Sequence, residues 1–342
     1  MLRLFVAQMQ TRVHLPTPKS LRMLAQALRQ GELVALPTET VYGLAAHALN
    51  PKACRKIFTA KRRPADDPLI IHVTGLRDAD KLAHFNAAAR VLARQFWPGP
   101  LTLVLPRKPN VPDIVTSGQA TVAMRAPAHP LARALLRLAG IPLAAPSANP
   151  FGYVSPTTAT HVLNGLRGRI PHILDGGPCA VGVESTIVDV SDPQRLRVLR
   201  PGSISAKDLQ TCLWTAGLTG SVRSVRRSPT GILAPGLLAQ HYSPHTPLVV
   251  SKKLPAVSSQ PASRHTARIY WRRPVLVTGP NVLWLTEHGV TQEAAQNLYA
   301  VLRQADVGGY KRIQLEFNPV RLDALAVALA DRLARAAKRR GR

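Results

Sequence analysis

The sequence predicts a mixed α/β protein built as two domains of unequal size, and three observations carry this. The chain has 342 residues, more than the roughly 250–300 at which one hydrophobic core stops growing. Before Thr215, helix-period stretches alternate with short β-branched runs. Between Thr219 and Pro247 the alternation gives way to TGSVRSVRRSPTGILAPGLLAQHYSPHTP, rich in Pro, Gly, Ser and His and without a sustained period. Such a stretch is too long for a loop inside a compact domain and reads as a linker or a functional lid. The expected divisions are therefore residues 1–218, 219–247 and 248–342.

The elements follow in order. Thr17-Pro18 opens an amphipathic helix with Leu21, Leu24, Ala25 and Leu28 on one face, and Gly31 supplies its stop. GELVALPTET is a strand running out into a polar loop, and Asn50-Pro51 opens a helix that carries Ile57 and Phe58 toward the basic run KRRP. LIIHV, LTLVLP, ATVAMRAP, PLAAPSAN, HILDGG and STIVDVS are short apolar runs bounded by Pro, Gly and Ser, as strands are. HPLARALLRLAG and TTATHVLNGLRGR are helical patterns between them. In the second domain PLVV, ARIYW, PVLVTG and NVLWL read as strands, residues 291–305 as a helix, KRIQLEF as a strand and residues 320–338 as a last helix. There is no internal repeat, and the pattern leaves the strand order open.

Composition narrows the class. Hydrophobic residues make up 46%, as in soluble globular domains. No apolar run approaches the roughly 18–20 residues that cross a bilayer, so no membrane partner is expected. The opening MLRLFVAQMQTRVHL has Arg3 ahead of a short apolar stretch but no small-residue cleavage site, and reads as an ordinary start. Cys54, Cys179 and Cys212 show no C-x-x-C spacing, which fits reduced thiols in a cytoplasmic protein rather than a zinc site or disulfides. Lys and Arg total 45 against 18 Asp and Glu, a net charge of +27 that favours nucleotide or RNA partners. Much of the excess is scattered Arg, and the tail from Arg335 to Arg342 suits a solvated end equally well.

Four polar clusters stand where strands end, the usual ligand position in α/β folds. Pro37-Thr38-Glu39-Thr40-Val41-Tyr42-Gly43 offers hydroxyls, a carboxylate and a phenol to a small polar ligand, although such residues also dominate ordinary turns. In Lys61-Arg62-Arg63-Pro64 a point charge and a planar fork suit a triphosphate. If that segment is extended, Lys61 and Arg63 face the same way; a solvated basic turn is the alternative. Asp66, Asp67 and His72 follow. Pro146-Ser147-Ala148-Asn149, with Ser155 after it and Thr121 and Arg125 on the strand before it, can hydrogen-bond phosphate, adenine or a substrate carboxylate. Glu184-Ser185-Thr186 and Arg200-Pro201-Gly202 form the last cluster. No GxxxxGK[ST] and no strand-following GxGxxG occurs, which leaves the P-loop and dinucleotide-fingerprint readings weak.

Each cluster alone is ambiguous, but their order is not. PTETVYGL, KRRP with a following PL and His, PSAN, ESTIVD and LRPG resemble the YrdC-like family over roughly residues 15–205. Ala234-Pro235-Gly236-Leu237-Leu238 and His241-Tyr242-Ser243-Pro244 resemble the linker of its two-domain threonylcarbamoyl-AMP synthases, and NLYAVLRQAD and ALADRLARAA resemble their C-terminal domain.

The resemblance implies a twisted α/β sheet around a concave basic cavity, followed by a smaller Rossmann-like α/β domain. It implies synthesis of threonylcarbamoyl-AMP and pyrophosphate from L-threonine, bicarbonate or CO2, and ATP, with Mg2+ accompanying the ATP and no protein metal cage. A tRNA threonylcarbamoyltransferase would take the product, and direct RNA binding is left open. By similarity, Lys61 and Arg63 are the catalytic cations. They join Asp67, Thr121, Ser147, Asn149, Ser155, Arg200, His241 and Tyr242 as the ATP set. Thr40, His72, Arg125, Ala145 and Ser185 are the L-threonine set. One departure stands out: Asp67 replaces the family's Asn. An ionised carboxylate cannot donate and repels phosphate, so either metal assists there or that contact is lost. The competing readings are a non-catalytic RNA-binding module and a carbamoyl-transfer role; the paired cysteines of the zinc modules accompanying the latter are missing.

Overall fold

The computed structural model describes residues 9–225, 241–254, 265–275 and 278–338. Its strands are β1 (Arg12–His14), β2 (Val34–Leu36), β3 (Gly43–His47), β4 (Ile70–His72), β5 (Leu101–Pro106), β6 (Thr121–Arg125), β7 (Leu143–Ala144), β8 (His172–Leu174), β9 (Thr186–Asp189), β10 (Arg195–Arg200), β11 (Ser221–Ser224), β12 (Leu248–Ser251), β13 (Thr266–Arg272), β14 (Val282–Thr286) and β15 (Arg312–Glu316). Its helices are α1 (Pro18–Arg29), α2 (Pro51–Lys61), α3 (Leu76–Ala79), α4 (Ala87–Phe96), α5 (Asp113–Thr116), α6 (Pro130–Ala139), α7 (Ala159–Leu166), α8 (Ala206–Thr215), α9 (Thr291–Val307) and α10 (Ala324–Ala336). Strands β1 to β11 form one mixed sheet in the order β1-β8-β2-β3-β7-β4-β6-β5-β9-β10-β11. Strands β12-β15-β13-β14 form a second, wholly parallel sheet.

Local chemistry sets the helix ends. The Thr17 hydroxyl accepts the Ser20 amide at the head of α1, and the Asn50 side chain accepts the amides of Lys52 and Ala53 at the head of α2. Helix α2 ends at Arg62 with φ of 54°, a left-handed turn. That turn, not an extended segment, buries both Lys61 and Arg63 while Arg62 stays exposed.

Period-two alternation then separates core from site. Leu69, Ile71, Met124, Leu103 and Val188 enter the main core with apolar faces of α2, α4 and α8. Ile70, Ala123, Val104, Ile187 and Leu199 form a patch on the opposite face. His72 and Arg125, one alternation beyond Ile70 and Ala123, lie directly opposite each other in the parallel β4–β6 pair. They turn the end of that patch polar.

In the second domain, Ile269, Leu285 and Leu315 pack with Leu298, Leu302, Leu329 and Leu333 of α9 and α10. The same apolar cluster takes in Val41, Val154, Val183 and Tyr242, so the two domains share a core.

The structure departs from the sequence reading at three places. Ser221–Ser224, within the stretch read as linker, is β11 and pairs parallel with β10; SVRS is too polar to announce a strand. Gly43, read as the end of a polar cluster, begins strand β3 (Gly43–His47), antiparallel to both β2 and β7. In PVLVTG the described residues Pro274, Val275, Thr278 and Gly279 are not in a strand, and its other two lie outside the described residues, as does Ala234–Leu238. No helix among the described residues is long and apolar enough to cross a membrane.

Candidate active site

One cleft lies over the polar end of the sheet. At one side, Arg125 closes β6 and is held by three contacts. Its Nε donates to the Gly99 carbonyl at 3.1 Å, its Nη1 to the Thr40 hydroxyl at 2.9 Å, and its Nη2 lies 2.6 Å from the Glu39 carboxylate. His72 stands beside it, and burial, then the charge of Arg125, push its pKa down to about 3, leaving a neutral ring. The Ser185 hydroxyl shares a 2.8 Å hydrogen bond with Thr102 and accepts from Arg200 at 3.2 Å. Ala145 lies under the bare Gly43, where an added Cβ would meet it at 3.3 Å. Thr40, His72, Arg125, Ala145 and Ser185 all line this cleft.

The other side is rich in cations. Arg63, Ser147 and Arg200 line it, with the Nε of Arg200 donating to the Ser185 carbonyl at 3.1 Å. Lys61 sits behind the wall. Its ammonium donates to the Ser147 and Asn149 carbonyls at 2.5 Å each, fastening the PSAN loop from below. Burial, then the charge of Arg63, push its pKa well down, while Asp67 acts to raise it. The Asn149 amide donates to the Pro150 and Tyr153 carbonyls, and Ser155 donates to Glu184 at 2.6 Å. Thr121 begins β6 two residues before Ala123, which pairs with Ile70. That register sets Thr121 level with Pro68, whose carbonyl accepts from Arg63.

Asp67 does not face the cleft. It is wholly buried and meets Arg63 at 2.8 Å, and Arg63 also donates to the Asp67 and Pro68 carbonyls. The expected choice between metal assistance and a lost phosphate contact is replaced by a third arrangement, an arginine partner.

Of the first cluster, Thr38 and Tyr42 shape the loop. The Thr38 hydroxyl accepts the Thr40 and Val41 amides, and the Tyr42 hydroxyl donates to the Gly177 carbonyl. His241 and Tyr242 fill the mouth, both buried, with Tyr242 at a left-handed φ of 63° that a bulky side chain adopts only when held. They leave about 40 Å3 of open space, room for a few waters. A nucleotide-sized ligand needs several hundred Å3.

Residues 26–202 match the Sua5/YciO/YrdC family model, described as telomere recombination, and residues 204–338 match the one described as threonylcarbamoyl-AMP synthase, C-terminal domain. The chain belongs to the Sua5/YciO/YrdC family. The Pyrococcus abyssi threonylcarbamoyl-AMP synthase is 44% identical over 231 residues, 67% of this chain and 67% of its own length. The Bacillus subtilis synthase is 44% identical over 233 residues, 68% of this chain and 66% of its own length. The crystal structure of P. abyssi Sua5 complexed with L-threonine superposes with a TM-score of 0.84 at 34% identity, covering 96% of this chain and 98% of that one.

In this Sua5-family chain the C-terminal domain also builds the cleft wall. Glu184 accepts from Tyr299 of α9 at 2.9 Å and from Arg332 of α10 at 2.8 Å. Arg303 of α9 donates to the Val154 carbonyl and lies over the Tyr153 ring at 4.8 Å. The sequence reading found no such residues in this domain. One signal was available: Arg332 falls on the apolar stripe of Ala328, Leu329, Leu333 and Ala336, where a solvated arginine does not belong.

Proposed function

We propose that this chain is an L-threonylcarbamoyladenylate synthase, a nucleotidyltransferase acting on L-threonine, bicarbonate or CO2, and ATP. It would work in the cytoplasm and supply a tRNA threonylcarbamoyltransferase. One observation carries the reading: Arg125, with the hydroxyls of Thr40 and Ser185, lines the same cleft as a second cation cluster of Arg63 and Arg200. The synthase names of its relatives and the L-threonine complex of its structural neighbour support it.

The chemistry follows from these positions. The Arg125–Glu39 pair offers a cation to the substrate carboxylate and an anion to its amine, while Thr40 and Ser185 offer hydroxyls. The amine, once it has lost its ammonium proton to water, bonds through nitrogen to the carbon of CO2 and releases a second proton to water, giving an N-carboxylate. An oxygen of that carboxylate attacks the α-phosphorus of ATP, and the bond to the pyrophosphate oxygen breaks. The nucleophile is already ionised, so the site has to orient it and offset the charge moving to pyrophosphate. Arg63 and Arg200, with Lys61 behind them, suit that task; Thr121, Ser147, Asn149 and Ser155 would complete the nucleotide contacts. Mg2+ bound with ATP would supply further charge neutralisation. Asp67, Glu39 and Glu184 beside the cleft are each tied to an arginine, which fits an ion held by phosphate and water. His241 and Tyr242 would withdraw to admit ATP and return to exclude water from a carbamate that reverts quickly.

The test is pyrophosphate release by the purified chain with and without L-threonine and bicarbonate, with Lys61→Ala as the control. Release that needs both substrates and the lysine supports the reading; release indifferent to threonine overturns it.

A further inference from the structure

Arg332 belongs to the C-terminal domain yet reaches three segments of the nucleotide side of the cleft. Its Nε donates to the Glu184 carboxylate at 2.8 Å and its Nη2 to the Pro201 carbonyl at 3.0 Å, next to Arg200. Its guanidinium lies over the Tyr242 ring at 5.2 Å. The side chain has 0% exposure, so none of this is a surface contact.

Glu184 explains why such a residue is needed. It lines the cleft with its carboxylate buried, on the side where phosphates would sit. An unpaired buried carboxylate there would repel a nucleotide. Burial pushes its pKa up, but Arg332 and then Arg200 outweigh this and hold it down at about 2, so it is ionised. As an ionised acceptor it takes the only hydroxyl proton of Ser155, whose oxygen can then only accept from a ligand.

We propose that Arg332 is a positioning residue for nucleotide binding: it neutralises Glu184 and pins the Pro201 carbonyl, thereby fixing Arg200, Ser155 and the lid residue Tyr242. The C-terminal domain is then part of the nucleotide site. This inference rests on ATP being a substrate, as proposed above.

The test is calorimetric titration of the full chain with a non-hydrolysable ATP analogue in the absence of threonine, run on wild type, Arg332→Met, Arg332→Lys and the double variant Arg332→Met/Glu184→Gln. Arg273→Met, whose residue pairs with Glu287 on the exposed surface of the same domain, is the control and should bind as wild type does. Arg332→Met is expected to weaken analogue binding roughly 10- to 100-fold, the loss that accompanies an unpaired buried charge. The double variant should recover most of that loss, because an amide does not repel phosphate; a merely structural arginine would make it worse. Arg332→Lys keeps the charge but cannot hold Glu184 and Pro201 together, and should fall between. It carries the test if the methionine variant does not fold. Wild-type affinity in either single variant, or a double variant weaker than Arg332→Met, overturns the inference and leaves the synthase assignment standing. No analogue binding by wild type overturns both.

Discussion

Arg63 and Asp67 meet at 2.8 Å with side chains 2% and 0% exposed, a buried ion pair at the root of the cation cluster. Arg63 spends further donors on the Asp67 and Pro68 carbonyls, so it is held from its own side of the cleft. Removing the carboxylate strands a buried guanidinium. Asp67→Ala should cost about 3–5 kcal/mol of stability, and Asp67→Asn, which keeps an acceptor, distinctly less. Urea unfolding of the two variants measures the difference; equal costs would mean that the charge of Asp67 does not matter.

Arg125 is predicted to read the amino-acid carboxylate. Arg125→Ala should raise the KM for L-threonine by roughly 10- to 100-fold, the equivalent of about 1.5–3 kcal/mol for hydrogen bonds to a charged group. Binding of an ATP analogue should change by less than about threefold, because Arg63 and Arg200 are separately anchored. A larger rise in KM for ATP than for threonine would contradict the assignment.

Acid should destabilise the chain earlier than carboxylates alone would dictate. Burial pushes the pKa of His72 and of His241 down to about 3, and that of His161 to about 4, from the ordinary 6.5. Around His241, Glu184 acts to raise it, while Arg63, Lys61 and Arg200 lower it further. The folded values lie below the unfolded ones, so the unfolded chain takes protons first and stability falls as pH drops below 6.5. Glu184, held at about 2 against 4.5, adds its loss between those values. Urea midpoints should decline between pH 6.5 and 5, and less steeply in His241→Asn; a flat profile there would contradict this.

Gly202 is predicted to admit no side chain. An added Cβ would lie 2.3 Å from the Thr186 amide nitrogen and 2.8 Å from the Ser185 carbonyl carbon, both main-chain atoms. Gly202→Ala must push LRPG away from Ser185, to which Arg200 is hydrogen-bonded. It should cost roughly 1–3 kcal/mol and lower activity beyond what that loss explains. A variant with wild-type activity would show the close approach to be incidental.

Much of the fold was legible because its signals are local. Thr17 and Asn50 cap their helices through their own side chains, and runs such as LIIHV and LTLVLP alternate between core and cleft as strands do. Strand order was not legible, since β7 inserts between β3 and β4 through pairings that no short pattern records. The motif segments meet around one cleft, although Lys61, Asp67, Thr121, Asn149 and Ser155 are not among the residues that line it. What the pattern hid was which side chains face it: Lys61 and Asp67 turn into the wall because of a left-handed turn at Arg62 and a buried partner. Arg332 and Tyr299 were missed because their contact with Glu184 exists only once two domains dock.

This cleft is expected to make a mixed anhydride from three substrates. Incubating the purified chain with ATP, L-threonine and isotope-labelled bicarbonate, and weighing the adenylate product by mass spectrometry, tests it most directly. The expected product is an adenylate whose mass includes threonine and one labelled carbon, absent from Lys61→Ala and reduced in Arg125→Ala at subsaturating threonine. ATP breakdown with no label in any adenylate would contradict it.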